Sequence, residues 1–137
     1  MENQKNEITL FNKVEGNIYC SKKAETEKDK KELFNALENC DVLLNDCLNQ
    51  EIEIKDLYIE EGQTVDEKTG EVRPKYRTII FDKAGQTYAT GSYGIFNVLK
   101  KIVNIYGLPG TWEKPLKVKV SKRPIKDGKQ SLTLILM

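Results

Sequence analysis

The segment Lys122-Arg123-Pro124-Ile125-Lys126-Asp127-Gly128-Lys129 puts four cations and one anion into eight residues. Lys117 and Lys119 precede it, which makes this the densest basic stretch of the chain. Cations at this spacing suit a row of phosphates, and a contact of that kind releases counterions and weakens steeply with salt. The same residues also suit a solvated hairpin whose charges keep a sheet edge soluble. A second group, Arg73, Lys75 and Arg77, brackets Tyr76, while Tyr58 and Tyr88 fall in neighbouring strand-like segments. Rings beside cations stack on the bases of single strands at ~1–3 kcal/mol per base. The competing reading packs those rings into a core. Strand alternation turns Ile52 and Ile54 inward, and past Lys55-Asp56 also Leu57 and Ile59, which leaves Tyr58 outside. If Thr87 and Ala89 line a narrow interior, Tyr88 also faces out. Phe81, Phe96 and Tyr106 read as core, and Trp112 as a cap over one end of it.

Catalytic chemistry finds little support. The chain has no histidine, which excludes a Ser-His or Cys-His unit and every His-ligated metal site. Cys20, Cys40 and Cys47 show no Cys-x-x-Cys pairing and read as small apolar residues. Asp46, Glu53 and Lys55 loosely resemble a metal-nuclease pattern, but Glu53-Ile54-Lys55 is an ordinary alternating strand. Gly107-Leu108-Pro109-Gly110 lacks the lysine and helix start of a phosphate-cradling loop. Neither enzyme activity nor a metal or cofactor is expected.

The elements that must position the cations and rings are readable from periodicity. Residues 1–24 form an N-terminal arm with two apolar patches. One, around Ile8, Leu10 and Phe11, is expected to dock on this subunit or a neighbour. From Ala24 to about Leu48 the chain is helical, with Leu33, Leu37, Cys40 and Leu44 on one face, Thr26 as cap and Asp29 completing a capping box. Asn39 or Asp41 breaks this stretch. A long first strand starts at Glu51, with a bulge or bend at Lys55-Asp56. Residues 61–74 read as a polar loop with a hairpin tip at Asp66–Glu71. Tyr76–Asp82 is a second strand, and its run Ile79-Ile80-Phe81 is buried on both faces. A tight turn leads to a third, Thr87–Gly91. Ser92 caps the helix Tyr93–Tyr106, whose stripe is Ile95, Leu99, Ile102 and Tyr106, and Gly107 stops it. Leu116–Arg123 and Ser131–Met137 are joined by an Asp-Gly turn.

A chain of 137 residues fits one domain, 25–137, with the arm 1–24 in front. Residues 1–73 carry 18 acidic and 10 basic side chains, net −8; residues 74–137 carry 3 and 12, net +9. A basic half with interleaved aromatics points to a polyanionic partner. No apolar run is long enough to span a membrane, and the polar start lacks a signal-peptide stretch, so a reducing cytoplasm is expected.

The order from Glu51, three strands, a helix and two strands, is that of the OB-fold. The expected fold is mainly β with helices: a five-stranded Greek-key barrel with a helix between its third and fourth strands, plus the N-terminal arm and helix. Glu51–Asp56, Asp82–Ser92, Gly94–Ile102 and Thr111–Val120 resemble one family. It is the single-stranded-DNA-binding OB-fold proteins of Gram-positive phages and conjugative plasmids, including the branch carried by enterococcal pheromone-responsive plasmids. The resemblance spans about Asn39 to Val120. It implies DNA binding without catalysis and, for the plasmid branch, assembly along DNA through an N-terminal tail. The acidic C-terminal tail of prototypical bacterial single-strand binders has no counterpart after Ser131–Met137, so recruitment through such a tail is not expected. The expected partner is single-stranded DNA, with duplex also admitted by an electrostatic groove. The alternative is a protein-interaction module in which the acidic half of one subunit meets the basic half of the next.

Overall fold

A computed structural model describes residues 17–137. The elements in chain order are β1 (Asn17–Cys20), α1 (Glu27–Glu38), β2 (Val42–Leu43), a 3-10 turn (Leu44–Cys47), β3 (Glu51–Val65), β4 (Val72–Asp82), β5 (Thr87–Thr90), α2 (Tyr93–Tyr106), β6 (Leu116–Pro124) and β7 (Gln130–Leu136). The patch around Ile8, Leu10 and Phe11 lies outside the described residues.

β3 organises the sheet. At its start it pairs with β6, Glu51 opposite Lys119, and further on with β1, Tyr19 opposite Ile59. Its other edge carries β4 along nearly the whole length, with the register shift of a bulge between Ile54 and Asp56. That bulge falls where two adjacent charges interrupt the alternation, and it lets one strand serve two parts of a curled sheet. The strand order is β2-β5-β4-β3-β6-β7, with β1 on β3.

The result is a curled open sheet, a half-barrel consistent with an OB-like fold, rather than a closed barrel of five strands. The edge of β5 that faces away from β4 is taken by β2, in parallel pairing, and no ladder joins β5 to β7 among the described residues. α2 lies across the opening and packs on β7.

Each face of the sheet has its own apolar cluster. The inner one gathers Ile52, Ile54, Leu57, Ile59, Ile80, Val118 and Val120 under Ile95, Phe96, Leu99 and Ile102 of α2. The outer one gathers Tyr58, Ile79, Phe81 and Ala89 under Ala36 of α1, with Leu33, Leu37 and Cys40 at its margin. The expected capping box starts α1: Thr26 Oγ1 accepts from the Asp29 N–H at 3.1 Å, and the Thr26 N–H donates to Asp29 Oδ2 at 3.4 Å. The helix stops at Asn39, and the chain then turns around the sheet edge. Leu44 therefore leaves the stripe of Leu33, Leu37 and Cys40 and joins the inner cluster.

Residues 61–74 are not a loop. The β3–β4 ladder continues to Val65 opposite Val72, and the turn is confined to residues 66–71. There Asp66 Oδ1 accepts from the N–H of Lys68 and of Thr69, and Gly70 takes the positive φ of 75° that closes the tip. A ribbon that leaves the body has no buried face. Its β3 half, residues 61–65, therefore carries no two-residue apolar period to betray it.

Candidate nucleic-acid interface

The β6–β7 ribbon is built by the turn chemistry of its tip. Asp127 and Gly128 both adopt positive φ, 63° and 71°, and the Ile125 N–H donates to the Lys129 carbonyl at 2.9 Å. This is the geometry an Asp-Gly pair favours between antiparallel strands. Lys122, Arg123, Lys126 and Lys129 are all exposed on it. Among the described residues no carboxylate lies within ion-pair reach of any of the four. Lys117 and Lys119, lower on β6, differ. They stand opposite Glu53 and Glu51, and Lys117 Nζ lies 3.4 Å from Glu51 Oε1. Carboxylates on β3 thus offset the charge at the base of the strand and leave it uncompensated at the ribbon.

The second basic group divides three ways. Arg73 pairs with Glu71 at 2.9 Å across exposed surface. Lys75 is exposed, with no ion pair among the described residues. Arg77 donates from Nη2 to the carbonyl of Leu37 and stands opposite Glu60, so it ties the end of α1 to β4. One of its five N–H donors thus holds helix and sheet together.

The tyrosines depart from expectation. Tyr58 does lie on the outer face, as alternation requires, but α1 covers that face and the residue is 6% exposed. Its hydroxyl donates to Glu60 Oε2 at 2.5 Å. Burial, together with that bond, pushes the phenol well above its ordinary pKa. Tyr88 faces inward opposite Ile80 and is 7% exposed. Burial first, then the hydrogen bond from its hydroxyl to Asp82 Oδ2 at 2.9 Å, raise it to about 12. Ala89 points outward instead, into the cluster that Ala36 of α1 joins. Neither Tyr58 nor Tyr88 presents a ring face. Tyr76 is half-buried on the inner side, stacked on Phe96 at 4.2 Å. Tyr106, read as core, is exposed, while Trp112 packs at the edge of the inner cluster with Nε1 donating to the Gly107 carbonyl at 2.9 Å.

One ring was missed. Tyr93, the first residue of α2, is 58% exposed, with its centroid 5.3 Å from that of Tyr76. It sits two residues before Ile95, about 200° round the helix from that side chain. An aromatic off the stripe, directly after the Ser92 cap, is the signal that could have found it. Ser92 Oγ accepts from the Ile95 N–H at 3.3 Å and fixes this first turn. The turn sits between the roots of both ribbons. Phe96 holds Tyr76 of β4 on one side. On the other, a Cβ placed on Gly94 would lie 2.6 Å from the Leu132 carbonyl oxygen of β7.

An open β half-barrel from which two cation-bearing ribbons rise beside an exposed ring has the makeup of a protein that holds a polyanionic strand. The chain matches the family model described as phage single-stranded DNA-binding protein over residues 3–137, and it belongs to that family. No curated protein and no solved structure matches it.

Proposed function

We propose that this protein coats single-stranded DNA with little sequence preference during phage genome replication, as a non-enzymatic binder working in the cytoplasm. The observation that carries this reading is the β6–β7 ribbon, with four exposed cations and no carboxylate in reach among the described residues. Cations held away from counter-charges are free to exchange condensed counterions for phosphates, a contact that ignores base sequence. The family match favours replication over conjugative plasmid transfer. Lys75 and Arg73 supply further phosphate contacts from the β3–β4 ribbon.

Fluorescence anisotropy with labelled oligo-dT at two salt concentrations tests this. Tight binding at low salt and a steep loss at high salt are expected, with RNA and duplex of equal length as competitors. No binding at low salt overturns the reading and favours a protein-interaction module.

The N-terminal arm, 1–24, is proposed to join neighbouring subunits through Ile8, Leu10 and Phe11. What supports this is the strand character of the segment, whose end, Asn17–Cys20, adds to β3 and buries Tyr19. Deleting residues 1–12 leaves that strand in place. The truncated protein should stay folded yet form smaller assemblies on oligo-dT by light scattering; unchanged assembly overturns the arm's role.

A further inference from the structure

We propose that Tyr93, backed by Tyr76 and Phe96, is a base-stacking platform, and that it takes an unpaired nucleobase at the roots of the two ribbons. The proposal rests on the single-strand reading above and adds to it where the base lies.

The argument starts from elimination. Tyr58, Tyr88, Phe81 and Phe96 are buried. The exposed rings among the described residues are Phe34, Tyr93 and Tyr106. Phe34 sits on α1 among Glu27, Lys30 and Lys31. Tyr106 is at the far end of α2, ~20 Å from Tyr93 at the helical rise. Tyr93 alone of the three adjoins both ribbons.

Its position is also prepared. Its ring is tilted 47° to Tyr76 at 5.3 Å and lies 6.2 Å from Phe96, while Tyr76 stacks on Phe96 at 4.2 Å. An exposed ring held by two others loses little freedom when a base arrives. Gly94 follows it and brings no side chain that would compete for its faces. Along β4, Tyr76, Pro74 and Val72 share one face of the ribbon, so an apolar strip leads away from Tyr93. Phosphates find Lys75 on the opposite face of that ribbon. Across the gap they find Lys122, which pairs with Leu132, the residue whose carbonyl meets Gly94. Charge near a ring is the arrangement that holds a single strand by backbone and base together.

The test compares full-length wild type, Tyr93→Ala, Tyr93→Leu and Tyr93→Phe on labelled oligo-dT and on an abasic oligonucleotide of the same length. Wild type should prefer dT. Tyr93→Ala and Tyr93→Leu should bind dT roughly 5- to 150-fold more weakly, with abasic binding and salt slope unchanged. Tyr93→Phe should keep the preference. The leucine variant retains apolar bulk, which separates loss of the ring from loss of fold. A Tyr93→Ala or Tyr93→Leu protein that keeps the dT-over-abasic preference overturns the proposal, as does a wild type that binds both oligonucleotides equally. Wild type binding neither overturns the single-strand reading itself.

Discussion

Replacing Lys122, Arg123, Lys126 and Lys129 together by glutamine is expected to abolish most single-strand affinity while leaving the protein folded. Each phosphate contact on a single strand contributes about 0.7 to the slope of log affinity against log salt, so four contacts account for ~3 of it. At 0.1 M salt the same four contacts multiply affinity roughly 10²- to 10³-fold. The side chains are exposed and have no carboxylate partners among the described residues, so their removal costs the fold little. The turn is retained because Asp127 and Gly128 make it. The matched control is Lys117→Gln with Lys119→Gln, at the base of the same strand. Those charges already face Glu51 and Glu53, so the control should lower the slope by much less. Anisotropy at four salt concentrations reads both. A slope loss in the control of about half that of the ribbon variant, the same per charge, would mean that ribbon and strand base are equivalent, and would remove the ribbon from its place in the proposed function.

That contrast between ribbon and base was not legible in the sequence, where all six cations look alike. What separates them is register. Glu51 and Glu53 are distant in sequence and come beside Lys119 and Lys117 only through the β3–β6 ladder. Arg77 is a similar case: its partner, the Leu37 carbonyl, belongs to a helix forty residues earlier.

Local signals were read well for a physical reason. The capping box at Thr26, the Ser92 cap, the Gly107 stop at φ 90° and the Asp-Gly turn each satisfy backbone groups within a few residues. The bulge at Lys55-Asp56 is legible because it breaks a strict alternation. Tyr58 shows where alternation stops short. Its parity gives the correct face, but parity does not say whether a face is wet. The clue was nearby: Ile79-Ile80-Phe81 is apolar on both faces, which requires something to cover the outer side. Tyr58 stands opposite Ile79 on that same side. A continuous apolar run in one strand therefore predicts a buried neighbour in the next. Tyr88 failed for the opposite reason. Small size does not place a residue in the interior: Ala89 lies on the outer face, in the cluster that Ala36 of α1 joins.

Gly94→Ala should lower the melting temperature, although helix propensity argues for a rise. Alanine in a helix interior is favoured over glycine by about 1 kcal/mol, and near the first turn by less. Against this stands the geometry of the joint. An added Cβ would meet the side chain of Ser131 and lie 2.6 Å from the carbonyl oxygen of Leu132, a backbone atom that cannot rotate away. Either α2 or β7 must shift. Overpacking of this kind costs ~1–3 kcal/mol. The balance is a net loss of up to about 2 kcal/mol, or several degrees in Tm for a chain of this length. Ser131→Gly in the same protein should restore part of the loss, because it removes the hydroxyl contact and leaves the carbonyl one. An increase in Tm for Gly94→Ala would show that propensity outweighs the contact, and that the first turn of α2 is not held tightly against β7. The outcome also bears on binding, because this joint places Tyr93 between the ribbons. If the contact is as tight as the 2.6 Å approach implies, Gly94→Ala should weaken dT binding even where the protein remains folded. The abasic oligonucleotide, which needs no ring, should be affected less.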